Sequence, residues 1–184
     1  MSIRIVFEIS QRDLQRFRSE MRRVRRTVRN VDEADILATA DAALSRIVTQ
    51  PAPDFISQRL PKLQTLINML RDGGWALPKT QRTKVLSVLA YFSDPDDLIP
   101  DVIPGLGLLD DAIMIELIVR DLHHDIEAFE DFCHYRDIYY KRHKIGRDAV
   151  TRAEQLAAKR KQLYARANRR KQRDRKQGTA ALAT

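Results

Sequence analysis

The sequence has few of the features that mark disulfide-rich, secreted or membrane-spanning proteins. Cys133 is the single cysteine among 184 residues, which excludes an internal disulfide and a zinc site of several thiolates and fits a reducing cytoplasm. The chain also lacks a run of roughly 20 consecutive apolar residues, the length that a spanning helix requires, and an N-terminal signal segment. We therefore expect a cytoplasmic protein without a transmembrane span, and peripheral attachment to the inner membrane stays an alternative.

Acidic residues are scarce at both ends and concentrated in the middle of the chain. Residues 1–30 carry a net charge of +6, residues 31–135 of −10 and residues 136–184 of +12, within a total of +8. This asymmetry predicts contact between the basic ends and a polyanion, either RNA or an anionic membrane surface, or docking of basic helices on an acidic partner or the acidic middle. The charge pattern alone does not separate these alternatives.

Apolar residues recur at spacings of three and four over most of the chain, which predicts helices. Ser10 and Asp13 resemble a capping box, and the pattern gives helices over 11–29, 32–49, 54–71, 80–92, 109–134 and 148–176. Pro61 is expected to kink or restart the third of these. We predict an all-α fold. It divides into an extended segment plus basic helix (1–30), a compact helical bundle (31–135) and a basic helical tail (136–184) whose end is disordered.

Residues 3–9 depart from the helical pattern. Ile3, Ile5, Phe7 and Ile9 alternate with other residues at a period of two, as in a short strand, but no partner strand is evident. The segment therefore pairs with itself in a homodimer, lies extended across helices, or joins the next helix.

A broken connection over 93–109 is the most specific stretch of the sequence. It contains the helix-breaking residues Pro95, Pro100, Pro104 and Gly107, which forbid one continuous helix. Leucine, isoleucine and valine residues lie between them. A solvated loop would not carry these apolar side chains. The segment is therefore expected to be bent and docked on the bundle.

The same stretch carries a family resemblance. The residues YFSDPDDLIPD at 91–101, then Ile103-Pro104, Gly107 and LDDA at 109–112, resemble the YkvA-like bacterial family, a domain of unknown function (1232), over about residues 80–125. Asp94, Pro95, Pro100, Pro104 and Gly107 form its structural motif. The family has no established catalytic activity that the resemblance could carry over to this chain. The resemblance also implies membrane-associated neighbouring segments in many relatives, which this chain lacks.

The aspartates of this stretch allow two interpretations. Asp94 before Pro95 and Asp97 suit the start of a helix, and Asp110 and Asp111 suit the first turn of the next one, where carboxylates stabilise the helix dipole. Alternatively, Asp97, Asp101, Asp110 and Asp111 converge on a divalent cation such as Mg²⁺ or Ca²⁺. We favour the structural interpretation and keep a metal-dependent enzyme or sensor as the alternative.

The histidines on the long helix do not suggest a metal site from their spacing. His123 and His134 share a face but lie about 16 Å apart at about 1.5 Å per residue, and one metal cannot bridge that distance. We expect ordinary surface histidines, and a small, buried Cys133.

Two sets of basic residues form the candidate polyanion-binding surface. The first helix supplies Arg22, Arg23, Arg25 and Arg26, and the last supplies Lys159, Arg160, Lys161, Arg169, Arg170 and Lys171. No aromatic stacking platform accompanies them, so we expect binding through phosphates rather than reading of bases. The function expected from the sequence is a non-enzymatic interaction or adaptor domain.

Overall fold

A computed structural model describes residues 9–48, 54–93, 109–142 and 149–181, and it contains no strand within these ranges. The helices are α1 Gln11–Thr27, α2 Glu33–Val48, α3 Asp54–Ser57, α4 Leu60–Arg71, α5 Lys79–Phe92, α6 Leu109–Arg142 and α7 Ala149–Ala181. The predicted all-α fold is confirmed. The strand-like residues 3–8 and the connection 94–108 lie outside the described residues, so the proposed dimer strand and bent segment stay predictions.

The chain forms two compact units. The first consists of residues 1–60 and 82–118, and the second of residues 61–81 and 119–184. Helix α6 contributes its first ten residues to the first unit and the remainder to the second. The division at residues 30 and 135 expected from the sequence stays a prediction.

Each unit has a core of fully buried apolar side chains. In the first unit the core includes Ile56, Leu89, Met114, Ile115 and Ile118. In the second it includes Leu63, Leu66, Ile67, Met69, Trp75, Leu122 and Phe132. On α6 the buried residues Ile115, Ile118, Leu122, Phe129 and Phe132 lie at spacings of three, four or seven, which place them on one helix face.

Local signals set the start of the first two helices. The hydroxyl of Ser10 accepts a hydrogen bond from the Asp13 amide at 3.2 Å, and the Asp13 carboxylate accepts one from the Ser10 amide at 3.3 Å. This is the predicted capping box, which satisfies two amides that a helix start otherwise leaves unpaired. Asp32 lies one residue before α2, and its carboxylate similarly accepts a hydrogen bond from the Ala34 amide at 2.8 Å.

The helix expected over 54–71 is two helices. Helix α3 ends at Ser57, and α4 begins at Leu60 with Pro61 in its first turn. Proline is well tolerated there because the first helical amides have no partner within the helix. Pro61 therefore restarts the helix rather than kinking it.

Candidate functional site

The two described aspartates of the candidate metal site are fully buried. Asp110 and Asp111 lie in the first turn of α6 and both have 0% exposure. The Tyr91 hydroxyl, from the last turn of α5, donates a hydrogen bond to Asp110 Oδ2 at 2.9 Å. Burial of a carboxylate requires such partners, and this bond ties the end of α5 to the start of α6.

The other members of that candidate site lie outside the described residues. Asp97 and Asp101 fall in 94–108, as do the motif residues Asp94, Pro95, Pro100, Pro104 and Gly107. Convergence of Asp97 and Asp101 with Asp110 and Asp111 on one cation therefore stays a prediction.

Two cations of the first unit pair with glutamates from distant parts of the sequence. Arg82 Nε donates to Glu33 Oε2 at 2.7 Å, and a second bond from its Nη2 to Glu33 makes the pair bidentate. Arg59 Nε lies 3.6 Å from Glu116 Oε2. The first of these pairs ties α5 to α2, and the second ties the residue before α4 to α6.

The basic residues of α1 are mostly exposed. Arg22, Arg23 and Arg26 are exposed, whereas Arg25 is half-buried. The opposite side of the helix holds Met21, the one buried residue of α1. The helix therefore keeps three of its four candidate cations in solvent.

Helix α7 is docked on α6 by a ladder of ion pairs within the second unit. Lys171 Nζ lies 2.6 Å from both carboxylate oxygens of Asp125, and Arg170 Nη1 donates to Glu127 Oε2 at 2.5 Å. Arg166 pairs with Asp131 further along. The pair at Asp125 differs from the others because its carboxylate is fully buried.

Four of the six candidate cations of α7 therefore have intramolecular partners. Besides Arg170 and Lys171, Arg160 donates to the Gly74 carbonyl at 3.0 Å, and Lys159 Nζ lies 5.0 Å from the Tyr135 ring centroid. Part of the basic tail thus neutralises the acidic face of α6. This is the docking that the charge asymmetry allowed as one of its alternatives.

The opposite face of α7 is different. Lys161, Arg169, Arg173 and Lys176 are all exposed and form no ion pair or hydrogen bond with any other part of the chain that the structure describes. At about 100° per residue they fall within an arc of about 120°, and about 22 Å of helix separates the first from the last. We call these four residues the outer basic face.

A turn at 72–76 fixes the docked side of α7. Asp72 accepts from the Trp75 amide at 2.9 Å and from Arg136 at 2.5 Å, while Tyr164 donates its hydroxyl to the Trp75 carbonyl at 3.0 Å. A Cβ at Gly74 would lie 3.1 Å from the Asp72 carboxylate, so a larger residue there would require that side chain to shift. The sequence predicts that a helix ends here but not that the turn contacts α6 and α7.

Aromatic packing accompanies these bonds. The fully buried Trp75 ring lies 4.3 Å from Tyr164, 5.4 Å from Phe132 and 5.7 Å from Phe129, between ring centroids. Burial raises the pKa of the Tyr164 phenol, and the nearby charge of Asp125 adds to the shift. Burial likewise raises the pKa of the half-buried Cys133 thiol.

A cluster that the sequence does not predict joins the two helices near the end of α7. His123 and His124 are neighbours on α6, and Asp174 reaches them from α7. One ligand atom from each residue lies within 4.8 Å of the other two. The partner of the histidines comes from 50 positions away, so no local spacing could have revealed it.

Comparison with known proteins supports the resemblance seen in the sequence. Residues 81–117 match the family described as "Protein of unknown function (DUF1232)". The match covers about a fifth of the chain, and the described part of it holds Tyr91, Asp110 and Asp111. No curated protein and no solved structure matches the chain significantly. None of the described helices combines the length and apolar character needed to cross a membrane.

Proposed function

We propose that this protein is a non-enzymatic adaptor that binds a phosphate-rich polyanion, with RNA as the favoured partner, through the outer basic face of α7. The observation that carries the proposal is the exposure of Lys161, Arg169, Arg173 and Lys176 on one side of α7, whereas cations on its other side, among them Arg170 and Lys171, are paired with carboxylates of α6. Docking of α7 on α6 does not account for the cations of the outer basic face, because they point away from α6.

The row suits a backbone of phosphates. Four cations spread over about 22 Å of one helix face match a polymer of repeated charge better than a single small anion. Each phosphate contact releases condensed counterions, so the logarithm of affinity falls with the logarithm of salt by about 0.7 per contact for a single strand. Four contacts therefore predict a slope of about −3.

The composition of the face favours RNA over a lipid bilayer. Between the cations lie Ala165, Asn168 and Gln172, all exposed, whereas a helix that inserts into a membrane interface presents large apolar residues such as Leu, Phe or Trp. Without aromatic residues to stack on bases, binding is expected to depend little on sequence. The exposed arginines of α1 are a second candidate contact.

The decisive experiment measures binding of a fluorescent single-stranded RNA by anisotropy across a salt series. In the test variant Lys161, Arg169, Arg173 and Lys176 are all changed to Gln. We expect it to lose most of the affinity and most of the salt slope.

The matched control changes four exposed cations outside α1 and α7 to Gln, so that the net charge falls equally. These are Lys62, Arg71, Lys79 and Lys141. Equal losses in the two variants would show a non-specific charge effect and refute the proposal.

Two further arms complete the design. A variant with Arg22, Arg23 and Arg26 changed to Gln measures what α1 adds. Vesicles containing phosphatidylserine replace RNA in the last arm. Tight vesicle binding without RNA binding would reject RNA as the partner.

The alternative function is a divalent-metal-dependent enzyme or sensor using Asp97, Asp101, Asp110 and Asp111. Its support among described residues is the complete burial of Asp110 and Asp111. Calorimetry with Mg²⁺, Mn²⁺ and Ca²⁺ tests it, with Asp101→Asn for comparison. Absence of heat from the wild type, or equal heat from the variant, would reject it.

A further inference from the structure

We infer that His123, His124 and Asp174 form a binding site for a borderline transition-metal ion such as Zn²⁺, which fastens the end of α7 to α6. This site is independent of the proposed polyanion-binding function and shares no residue with the outer basic face. Two imidazoles and one carboxylate are a common set of protein ligands for zinc, and three of them leave a fourth position for water.

The distances are close to those that a metal needs. Asp174 Oδ2 lies 2.7 Å from His124 Nε2 and 3.7 Å from His123 Nε2. Zinc bonds of about 2.1 Å in a tetrahedral arrangement place two ligand atoms about 3.4 Å apart. A shift of less than about 1 Å at each atom, which side-chain rotation provides, therefore creates the site.

The proton on His123 already favours coordination. Its Nδ1 lies 2.7 Å from the carbonyl oxygen of Arg120, and because a carbonyl only accepts, Nδ1 must donate. In the neutral ring Nε2 then carries a lone pair and faces the Asp174 carboxylate. Two acceptors facing each other are stabilised by a cation between them, and a backbone partner on the other nitrogen is typical of metal-bound histidine.

His124 supports the same conclusion. In the neutral ring, a hydrogen bond from Nε2 to Asp174 leaves Nδ1 unprotonated, and this nitrogen is buried with no hydrogen-bond partner among the described residues. If a metal takes the place of the Nε2 proton, the proton moves to Nδ1. There it faces Glu127 Oε2 at 3.9 Å, so metal binding improves the environment of both nitrogens.

The surrounding charges permit a dication. Arg170 and Lys171, one turn before Asp174 on the same side of α7, are paired with Glu127 and Asp125. Asp174 itself is one of two acidic residues in α7, the other being Glu154. An acid thus stands opposite the histidine pair in an otherwise basic stretch of helix.

The test is calorimetry and native mass spectrometry of the full chain after chelator treatment, with Zn²⁺ as the probe. We expect one Zn²⁺ per chain, visible absorption from Co²⁺ in the same site, and no displacement of Co²⁺ by Mg²⁺, which prefers oxygen ligands. His123→Gln, His124→Gln and Asp174→Asn should each weaken Zn²⁺ binding about tenfold or more.

His134→Gln is the matched control, because His134 is an exposed histidine on the same helix; it should bind Zn²⁺ as the wild type does. Failure of the wild type to bind Zn²⁺ would overturn the inference, as would unchanged affinity in Asp174→Asn.

Hydrogen exchange of the wild type gives an answer that needs no variant. Zn²⁺ should slow exchange around residue 174 as well as around residues 123–124, because the ion joins both helices. Protection limited to α6 would show that the histidines bind Zn²⁺ without Asp174 and would overturn the three-residue site.

Discussion

Replacing Lys171 by Met is the sharpest test of how α7 is held on the second unit. The Lys171 ammonium lies 2.6 Å from the Asp125 carboxylate, whose side chain is 1% exposed. Removing the cation leaves a buried carboxylate without its charge partner, and burial of an unpaired charge is strongly unfavourable. The Arg170–Glu127 pair next to it has side chains that are 47% and 51% exposed, so it serves as a control on the same helices.

The two pairs should differ clearly in their energetic cost. Breaking a buried ion pair from one side destabilises a protein by about 3–5 kcal/mol. Because the Lys171 side chain is 20% exposed, we expect about 3 kcal/mol for Lys171→Met. Exposed pairs contribute about 0–1 kcal/mol, which is the expectation for Arg170→Met. Against a total stability of about 5–15 kcal/mol, only the first change is severe.

Urea unfolding followed by circular dichroism measures both variants, and hydrogen exchange shows whether the loss is located in α7. A third variant, Asp125→Leu combined with Lys171→Met, removes both charges and should recover most of the stability, because an apolar pair avoids the desolvation cost. If Lys171→Met and Arg170→Met differ by less than about 1 kcal/mol, the buried pair does not hold α7 in place and the reasoning is wrong.

Three further changes test single contacts. Ser10→Ala removes the capping box and should destabilise α1 by about 1 kcal/mol, seen as faster amide exchange in its first turn, while Ser10→Asn keeps the cap and should not. Tyr91→Phe deletes the bond to buried Asp110 and should lower the free energy of unfolding by about 1–3 kcal/mol; an unchanged urea midpoint would contradict that bond's role. For Tyr164 the folded-state pKa is raised, so above about pH 10 the unfolded chain loses this proton first and stability falls as pH rises. Tyr164→Phe should flatten that fall in urea midpoints measured at pH 8 and pH 10.5, and an equally steep fall in the variant would refute it.

Local patterns in the sequence were sufficient to predict the helices and to recognise the segment that resembles the family. The capping box at Ser10, the cap at Asp32 and the ends of α4 and α5 follow from residues within one turn of each boundary. The resemblance over residues 91–112 rests likewise on contiguous residues. Even so, the break between α3 and α4 was only one of two alternatives, since Pro61 suits a kink as well as a new first turn.

What the basic tail does was not decided by the sequence, because charge composition does not state which cation meets which anion. Lys171 and Asp125 are 46 positions apart, and His124 and Asp174 are 50 apart. Only the packing of α7 on α6 brings these side chains together. Tertiary structure therefore separated one basic helix into a paired face and the outer basic face, and it placed an aspartate beside two histidines that had looked like ordinary surface residues. Helical periodicity identifies the residues that share a face, whereas long-range packing selects the partner that each face meets.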